Sequence, residues 1–462
     1  MLKFYGIAFC YSIFCINYDC FITFIAEVNV MARKSGKLEA IQNTLKELDI
    51  NISDIEKNED FIYELIKNTE IVPDYRHPSY VRHLLKDILM ICLFGVLADC
   101  NEWEEIADFA VQKEKWLRKY LELPNGVPSS DTIRVVIGGI DTRHFYQLVV
   151  QYLVQVMNQV HNAIFDQAQE KDILSMDGKE SRGSKRNQTD VEGTKAIHTL
   201  NMYSKDYGIC VEQEFIEEKS NEIPAGPLPL ERLDLRECVV TWDALNTQKE
   251  TVAAVIKGKG DYVAALKGNH PLFYKELQDF FSEEELRELQ NSPSNSKKTV
   301  EKEHGGLAIR EYFLTDEVGW YEDKKAWKNL QSFGLVKKKL IKKSGEKSEE
   351  MRYYINSIPV DINLFEKAVR GHWGVENKLH WQLDFTFKDD HNTTAEKTGA
   401  KNMQMLKKVS LAILRLVQTL YGQSLKRIRK TITRDCENEL EQILSAVSED
   451  AIKSTLYKKQ NS

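Results

Sequence analysis

The order of apolar runs between residues 173 and 266 constrains this chain more than any other feature. Residues 173–176, 198–203 and 209–216 are three short apolar runs in succession, read as strands. Residues 221–233 then read as a proline-containing turn and helix, 238–242 as a fourth strand, 247–257 as a helix and 262–266 as a fifth strand. Three strands followed by alternating helix and strand is the order of an α/β domain, a mixed five-stranded sheet flanked by helices. Two of the runs end on an acid. Asp177 follows Ile173-Leu174-Ser175-Met176, and Asp243 follows Cys238-Val239-Val240-Thr241-Trp242. Each aspartate sits where a strand should stop and a turn or helix should open.

Taken singly, each of these aspartates is as readily a turn or helix cap. A third acid, Glu376, lies in the helical stretch RGHWGVENKLHWQLDFTF at 370–387, and alone it would be an ordinary helical glutamate. Together, two strand-end aspartates and a late helical glutamate can meet at one place. Three carboxylates meeting there repel one another unless cations lie between them. That arrangement is how a protein builds a two-magnesium phosphoryl-transfer site. Around Glu376, the residues His372, His380 and Asp384 recur every four positions and drift slowly round one helix face. HxxxExxxH is not the HExxH zinc pattern, and no further His or Cys cluster backs a zinc site. The histidines are expected to contact phosphate or to orient water. Trp373 and Trp381 serve equally as platforms for splayed bases or as packing of the helix on the sheet. Arg370 suits a phosphate clamp. Lys267, in Lys267-Gly268-Asn269 at the end of the fifth strand, fits either a phosphate contact or a plain surface lysine. The polar run 218–223 reads as a capping segment.

The chain has 462 residues, enough for two or three domains, with ordinary soluble composition and a net charge of −7. The total charge gives no support to a nucleic-acid role; local charge does. Lysines crowd 324–347, and Lys426-Arg427-Ile428-Arg429-Lys430 forms a second cluster, each either a phosphate-binding face or a solvated one. The eight cysteines form no CxxC pair and suit a reducing cytoplasm. No GxxxxGK[ST] is present, which disfavours an ATP-driven motor. Residues 1–30 are apolar but carry Asp19 and Glu27, so the expectation is a misassigned start with Met31 as the true one, rather than a membrane anchor. Residues 31–160 read as an all-helical unit, with Ser129-Ser130-Asp131-Thr132 capping one helix. The catalytic domain is expected over 171–420, with a charged insertion at about 270–352 before its last helix, and an amphipathic helical tail over 421–462. Within the insertion, 272–289 reads as helix, and 307–314 and 353–355 as strands. This is the order of a ribonuclease-H-like domain.

Several stretches also carry a resemblance. MDGK (176–179), EKSNEI (218–223), TWDALNTQ (241–248), DYVAALKGN (261–269) and RGHWGVENKLHWQLDFTFKDD (370–390) closely resemble the H-repeat-associated (ISAs) family of bacterial insertion-sequence DDE transposases. PNGVPSSDT (124–132) resembles that family's N-terminal associated domain, with Ser130 where histidine is expected. The resemblance spans about residues 75–420, and residues 1–30 have no counterpart in it. It implies that Asp177, Asp243 and Glu376 are the catalytic, metal-holding acids, with two Mg²⁺ (Mn²⁺ able to substitute) as cofactor. Lys267, Asn269, Arg370, His372, Trp373 and His380 would contact DNA or support the site. It further implies binding to terminal inverted repeats and target DNA, strand cleavage and strand transfer, and a homodimer assembled on DNA. No small-molecule substrate is implied, and the expected location is the bacterial cytoplasm, at the nucleoid.

Overall fold

The computed structural model describes residues 37–164, 171–184, 196–216, 222–303, 306–392, 394 and 396–460. The apolar stretch 1–30 lies outside the described residues, as do 217–221 of the polar run at 218–223.

A single mixed sheet organises the chain. Its strands are β1 (Asp172–Ser181), β2 (Ile197–Ser204), β3 (Cys210–Ile216), β4 (Cys238–Trp242), β5 (Asp261–Leu266), β6 (Ser296–Glu303), β7 (Gly306–Thr315), β8 (Ser332–Lys342) and β9 (Lys347–Asn356). Their order across the sheet is β3-β2-β1-β4-β5-β9-β8-β7-β6. The expected five strands are present, but the sheet has nine. The segment at 270–352 begins with two helices, Pro271–Phe280 and Glu283–Gln290, and then adds four antiparallel strands to the β5 edge. An open β5 edge would leave a row of unpaired backbone groups, and β9 covers it.

β1 runs antiparallel to β2 and parallel to β4, with Ser175 opposite Thr241 and Met176 opposite Trp242. The two aspartates are the next residues on these adjacent strands. Alternation of side chains puts Ile173, Val239 and Val263 in one core layer and Leu174, Met176, Val240 and Trp242 in the other. Asp177 and Asp243 share the parity of Ile173 and Val239. They therefore sit on the face covered by the Ile362–Gly374 helix, whose Phe365, Ala368 and Val369 complete that layer. Gly371 allows the approach: a Cβ there would stand 2.7 Å from Ile173 Cγ2.

The helices of 37–164 share one core with the Lys397–Tyr421 helix and with the three that follow it, Leu425–Arg434, Cys436–Ala446 and Glu449–Gln460. Trp116 Nε1 donates to Glu441 at 2.8 Å within this body. Ser129 caps the Ser130–Gly138 helix by accepting from the Thr132 amide. All five described cysteines are buried free thiols. Among the described residues, no helix is long and apolar enough to cross a membrane.

Candidate active site

The segment carrying Glu376 is not one regular helix. The Ile362–Gly374 α-helix passes into a π-helical turn, Val375–His380, and then into a short α-helix, Trp381–Phe385. Such π turns recur at functional sites. Its apolar residues Val375 and Leu379 are buried in the helical core, and Glu376 is left exposed on a turn that packs against β1.

Asp177 accepts a hydrogen bond from the Gly178 amide, and its Oδ2 lies 3.5 Å from His380 Nδ1. Burial, then the charges of Asp243, Glu376 and Glu222, push its carboxyl up to about 8. Asp243 begins the 3₁₀ turn Ala244–Asn246 and accepts from the Asn246 amide and side chain, both at 3.4 Å. Burial and the nearby Glu222 carboxylate raise its pKa as well. Asp177 is thus close enough to Asp243 and to Glu376 for its charge to oppose both, but it lies within β1, which runs on to Ser181 against β2, and not at the strand end that the break in the apolar run suggested. Among the described residues, no group of three His, Cys, Asp or Glu side chains is drawn together tightly enough to hold one metal ion as it stands. The donor set nevertheless suits a hard divalent cation. It consists of carboxylate oxygens, and their unmet mutual repulsion is what such an ion offsets.

Both histidines are neutral rather than cationic. Burial presses His372 down to about 4 and His380 to about 3. His372 Nδ1 lies 3.4 Å from Thr241 Oγ1, on the strand that ends at Asp243. His380 belongs to a chain of contacts that fixes its tautomer. The Lys408 ammonium donates to Asn201 Oδ1, so the Asn201 amide must turn its NH₂ group toward Thr199 O and His380 Nε2, the latter at 3.2 Å. Nε2 then accepts, and Nδ1 carries the proton that faces Asp177. Asn201 is the residue directly opposite Asp177 in the β1–β2 pairing.

The other expected residues divide. Lys267 is exposed and lines a small cleft with Asp243 and His372. Asn269 turns away from that cleft; its Nδ2 donates to Ala244 O at 2.6 Å and braces the turn after Asp243. Arg370 and Trp373 face the far side of the helix, where Arg370 pairs with Glu301 at 2.7 Å and Trp373 lies beneath Lys338 and Arg352. Trp381 is half exposed, stacked on Phe385 at 4.5 Å, with Lys426 over that second ring at 4.3 Å. Arg429 departs from the expected basic face. It is buried, bonded to Thr386 O and Val96 O and paired with Asp99.

Two further charged groups escaped the sequence reading. Glu222, at the end of the run read as a cap, is buried. Its Oε2 lies 3.0 Å from His198 Nε2, and its Oε1 accepts from Asn246 Nδ2 at 2.8 Å. Gly178 makes room for that pair, since a Cβ there would meet His198 Nε2 at 2.8 Å. Lys179 is buried among Asp384, Asp390 and Asp389, at 2.5, 3.6 and 3.8 Å. The clue for both lay in the DGK and EKSNEI stretches, whose charged residues have no reason to be there as mere caps.

Most of the chain is similar to known proteins. Residues 168–414 match the transposase DDE domain, and residues 67–153 match the DDE_Tnp_1-associated domain. The chain is 31% identical over 392 residues to YncI of Escherichia coli O157:H7, covering 84% of this chain and 96% of that one. It is 32% identical over 355 residues to the H repeat-associated YhhI of Escherichia coli K12, covering 76% and 90%. The same organism's inactive transposase YbfQ matches 74 residues at 36% identity, 16% of this chain. The chain belongs to the DDE transposases of the H-repeat-associated family.

Proposed function

We propose that this transposase binds the terminal inverted repeats of its insertion sequence, cleaves DNA strands there and joins the freed ends to target DNA. In this reading β1 to β5 form a ribonuclease-H-like core, and Asp177, Asp243 and Glu376 hold two Mg²⁺, for which Mn²⁺ can substitute. The bound ions would polarise the scissile phosphate and lower the pKa of the attacking hydroxyl. The protein's part is positional. Asp177 and Asp243 each come one residue after the last β1–β4 pair, Met176 with Trp242, so the rigid sheet fixes their spacing. The π turn hangs Glu376 over them. His380 donates its Nδ1 proton toward Asp177 Oδ2 and keeps that carboxylate from rotating. The Asn269 bond to Ala244 O steadies the loop that carries Asp243. No protein nucleophile is needed.

The observation that carries the reading is the convergence at Asp177, whose carboxyl is raised first by burial and then by three other carboxylates on three separate segments. The 171–420 region acts as the catalytic domain, with 31–160 and 421–462 as its helical companions. Work on two DNA ends would call for a homodimer on DNA, at the nucleoid. The test uses pre-cleaved terminal-repeat DNA with Mg²⁺ or Mn²⁺. Strand transfer by the parent chain, lost in Asp177→Ala, Asp243→Ala and Glu376→Ala while DNA binding persists, is the expected outcome. Hydrolysis without joining would make the chain a nuclease, and metal-independent cleavage would remove the acids from the chemistry.

A further inference from the structure

The glutamate helix has two working faces. On the side away from the aspartates lies a half-open cavity of about 240 Å³, lined by the last turn of the Ile362–Gly374 helix and by residues of β7 to β9. Six cations reach its wall: Lys205, Lys338, Lys378, Arg310, Arg352 and Arg370. The glutamates paired with them number three. Glu303 takes Arg310 and Lys338 at 2.8 and 2.9 Å, Glu301 takes Arg370 and Arg310 at 2.7 and 3.4 Å, and Glu350 takes Arg352 at 2.8 Å. With Asp206 and Glu39 also near Lys205, a small excess of positive charge faces a half-open space. Arg310 is itself only 7% exposed, so this charge is held in place rather than waving in solvent. Trp373, with Lys338 and Arg352 at 5.0 and 4.8 Å from its ring, closes one wall. Burial together with the neighbouring Lys367 and Lys378 pushes the Lys205 ammonium below its ordinary pKa. Clustering like charges in a desolvated wall costs stability unless an anion enters.

The cavity adjoins the cleft beside Asp243. Arg352, Tyr354 and Val369 line both, and the cleft's other wall carries Asp243, Lys267 and His372. Arg352 therefore stands between Asp243 and the cation-lined space. A helix with its side chains is roughly 10 Å across. A strand held at the aspartates would therefore have a cation-lined place beside it for a neighbouring phosphate. The space is too small for a duplex.

Resting on the proposed function, we propose that this cavity binds a phosphate group of an unpaired DNA strand, next to the scissile phosphate rather than at it. Arg352 guides the strand across the junction, and Lys338, Arg310 and Arg370 receive the phosphate. The lysines of β8 then divide by face. Lys338 works in the cavity, whereas Lys339 is an outward residue paired with Glu349 at 2.7 Å.

The experiment measures binding of a short fluorescent single-stranded DNA to the full chain by anisotropy, with Ca²⁺ present to prevent turnover. Lys338→Gln and Arg352→Gln should each weaken binding about tenfold and make the salt dependence shallower by roughly 0.7 per lost contact. Lys339→Gln should change neither. Arg352→Lys, which keeps the charge, should recover part of the affinity, and melting curves confirm that each variant is folded. Should Arg352→Gln fail to fold, Arg370→Gln replaces it, because Arg370 is more exposed. Equal effects at Lys338 and Lys339 would overturn the proposal, since bulk surface charge would then explain both. Pyrophosphate supplies the second arm. It should raise the melting temperature of the parent but not of Lys338→Gln, and the oligonucleotide should displace it. Pyrophosphate binding that the oligonucleotide does not displace would mean a free phosphate ester is the ligand, and the strand path would fall. A parent chain that binds no DNA would bring down this proposal and the proposed function together; DNA binding untouched by the variants would bring down only this one.

Discussion

Replacing Asp177 with asparagine should stabilise the metal-free protein while destroying its function. The carboxyl of Asp177 is raised to about 8 from an ordinary 3.8, chiefly by burial and then by Asp243, Glu376 and Glu222. Between those two values the folded chain holds a proton that the unfolded chain has released. Stability contributed at this position is therefore full below pH 3.8 and is lost as pH rises toward 8. Each pH unit inside that window costs about 1.36 kcal/mol, which gives about 4 kcal/mol by pH 7 as an upper figure. Asparagine has nearly the same shape, can still accept from the Gly178 amide, and carries no charge at any pH. Urea denaturation in EDTA should find Asp177→Asn more stable than the parent by about 2–4 kcal/mol at pH 8. The gain should shrink steadily and vanish near pH 4. Added Mg²⁺ should stabilise the parent at pH 8, because it offsets the same repulsion, and should do much less for the variant. A variant less stable than the parent, or a gain that does not change with pH, would refute the claim that these carboxylates oppose one another.

Lys179→Met should lower stability by about 1–3 kcal/mol in the same denaturation assay, because it removes the cation from Asp384 and leaves the fully buried Asp389 with Lys407 alone. Gly371→Ala should cost about 1–3 kcal/mol, since the new methyl would press on Ile173 and lift the glutamate helix from β1. Lys408→Met should slow strand cleavage by about 10–100-fold with little change in DNA affinity, because it frees the Asn201 amide that sets the His380 tautomer. Equal losses of rate and affinity would show that Lys408 only holds the fold.

The strands that position the site were readable because their signal is local. In β1 and β4 an apolar run breaks abruptly at an aspartate, and those two breaks become neighbours in the sheet. β6 and β8 give no such signal. β6 reads SKKTVEKE, with no buried residue; Lys298 is satisfied across strands by Glu311 at 2.8 Å, and Lys297 by Glu366 of the Ile362–Gly374 helix at 2.7 Å. A strand held by cross-strand ion pairs looks like a charged loop in sequence. The basic cluster at 426–430 misleads for the opposite reason. Helical spacing turns Ile428, Arg429 and Ile432 inward together, so a residue counted as surface charge becomes a buried link to Val96 and Thr386.

The four-residue spacing of His372, Glu376, His380 and Asp384 illustrates what a period can and cannot disclose. In an unbroken α-helix each step of four advances about 40° round the axis, so the last of these residues would have turned far from the first. The π turn at Val375–His380 holds more residues per turn and sets that drift back. His372 consequently meets Thr241 on β4, His380 meets Asp177 on β1 and Asn201 on β2, and Asp384 meets Lys179 at the end of β1. Three side chains of this segment thus reach three adjacent strands, β4, β1 and β2. The widened turn also gives the opposite face its shape, because it leaves Trp373, Gly374 and Asn377 lining the cationic cavity. One local irregularity in the helix serves both faces. The carboxylate cluster and the cation-lined space would therefore have to be lost or kept together.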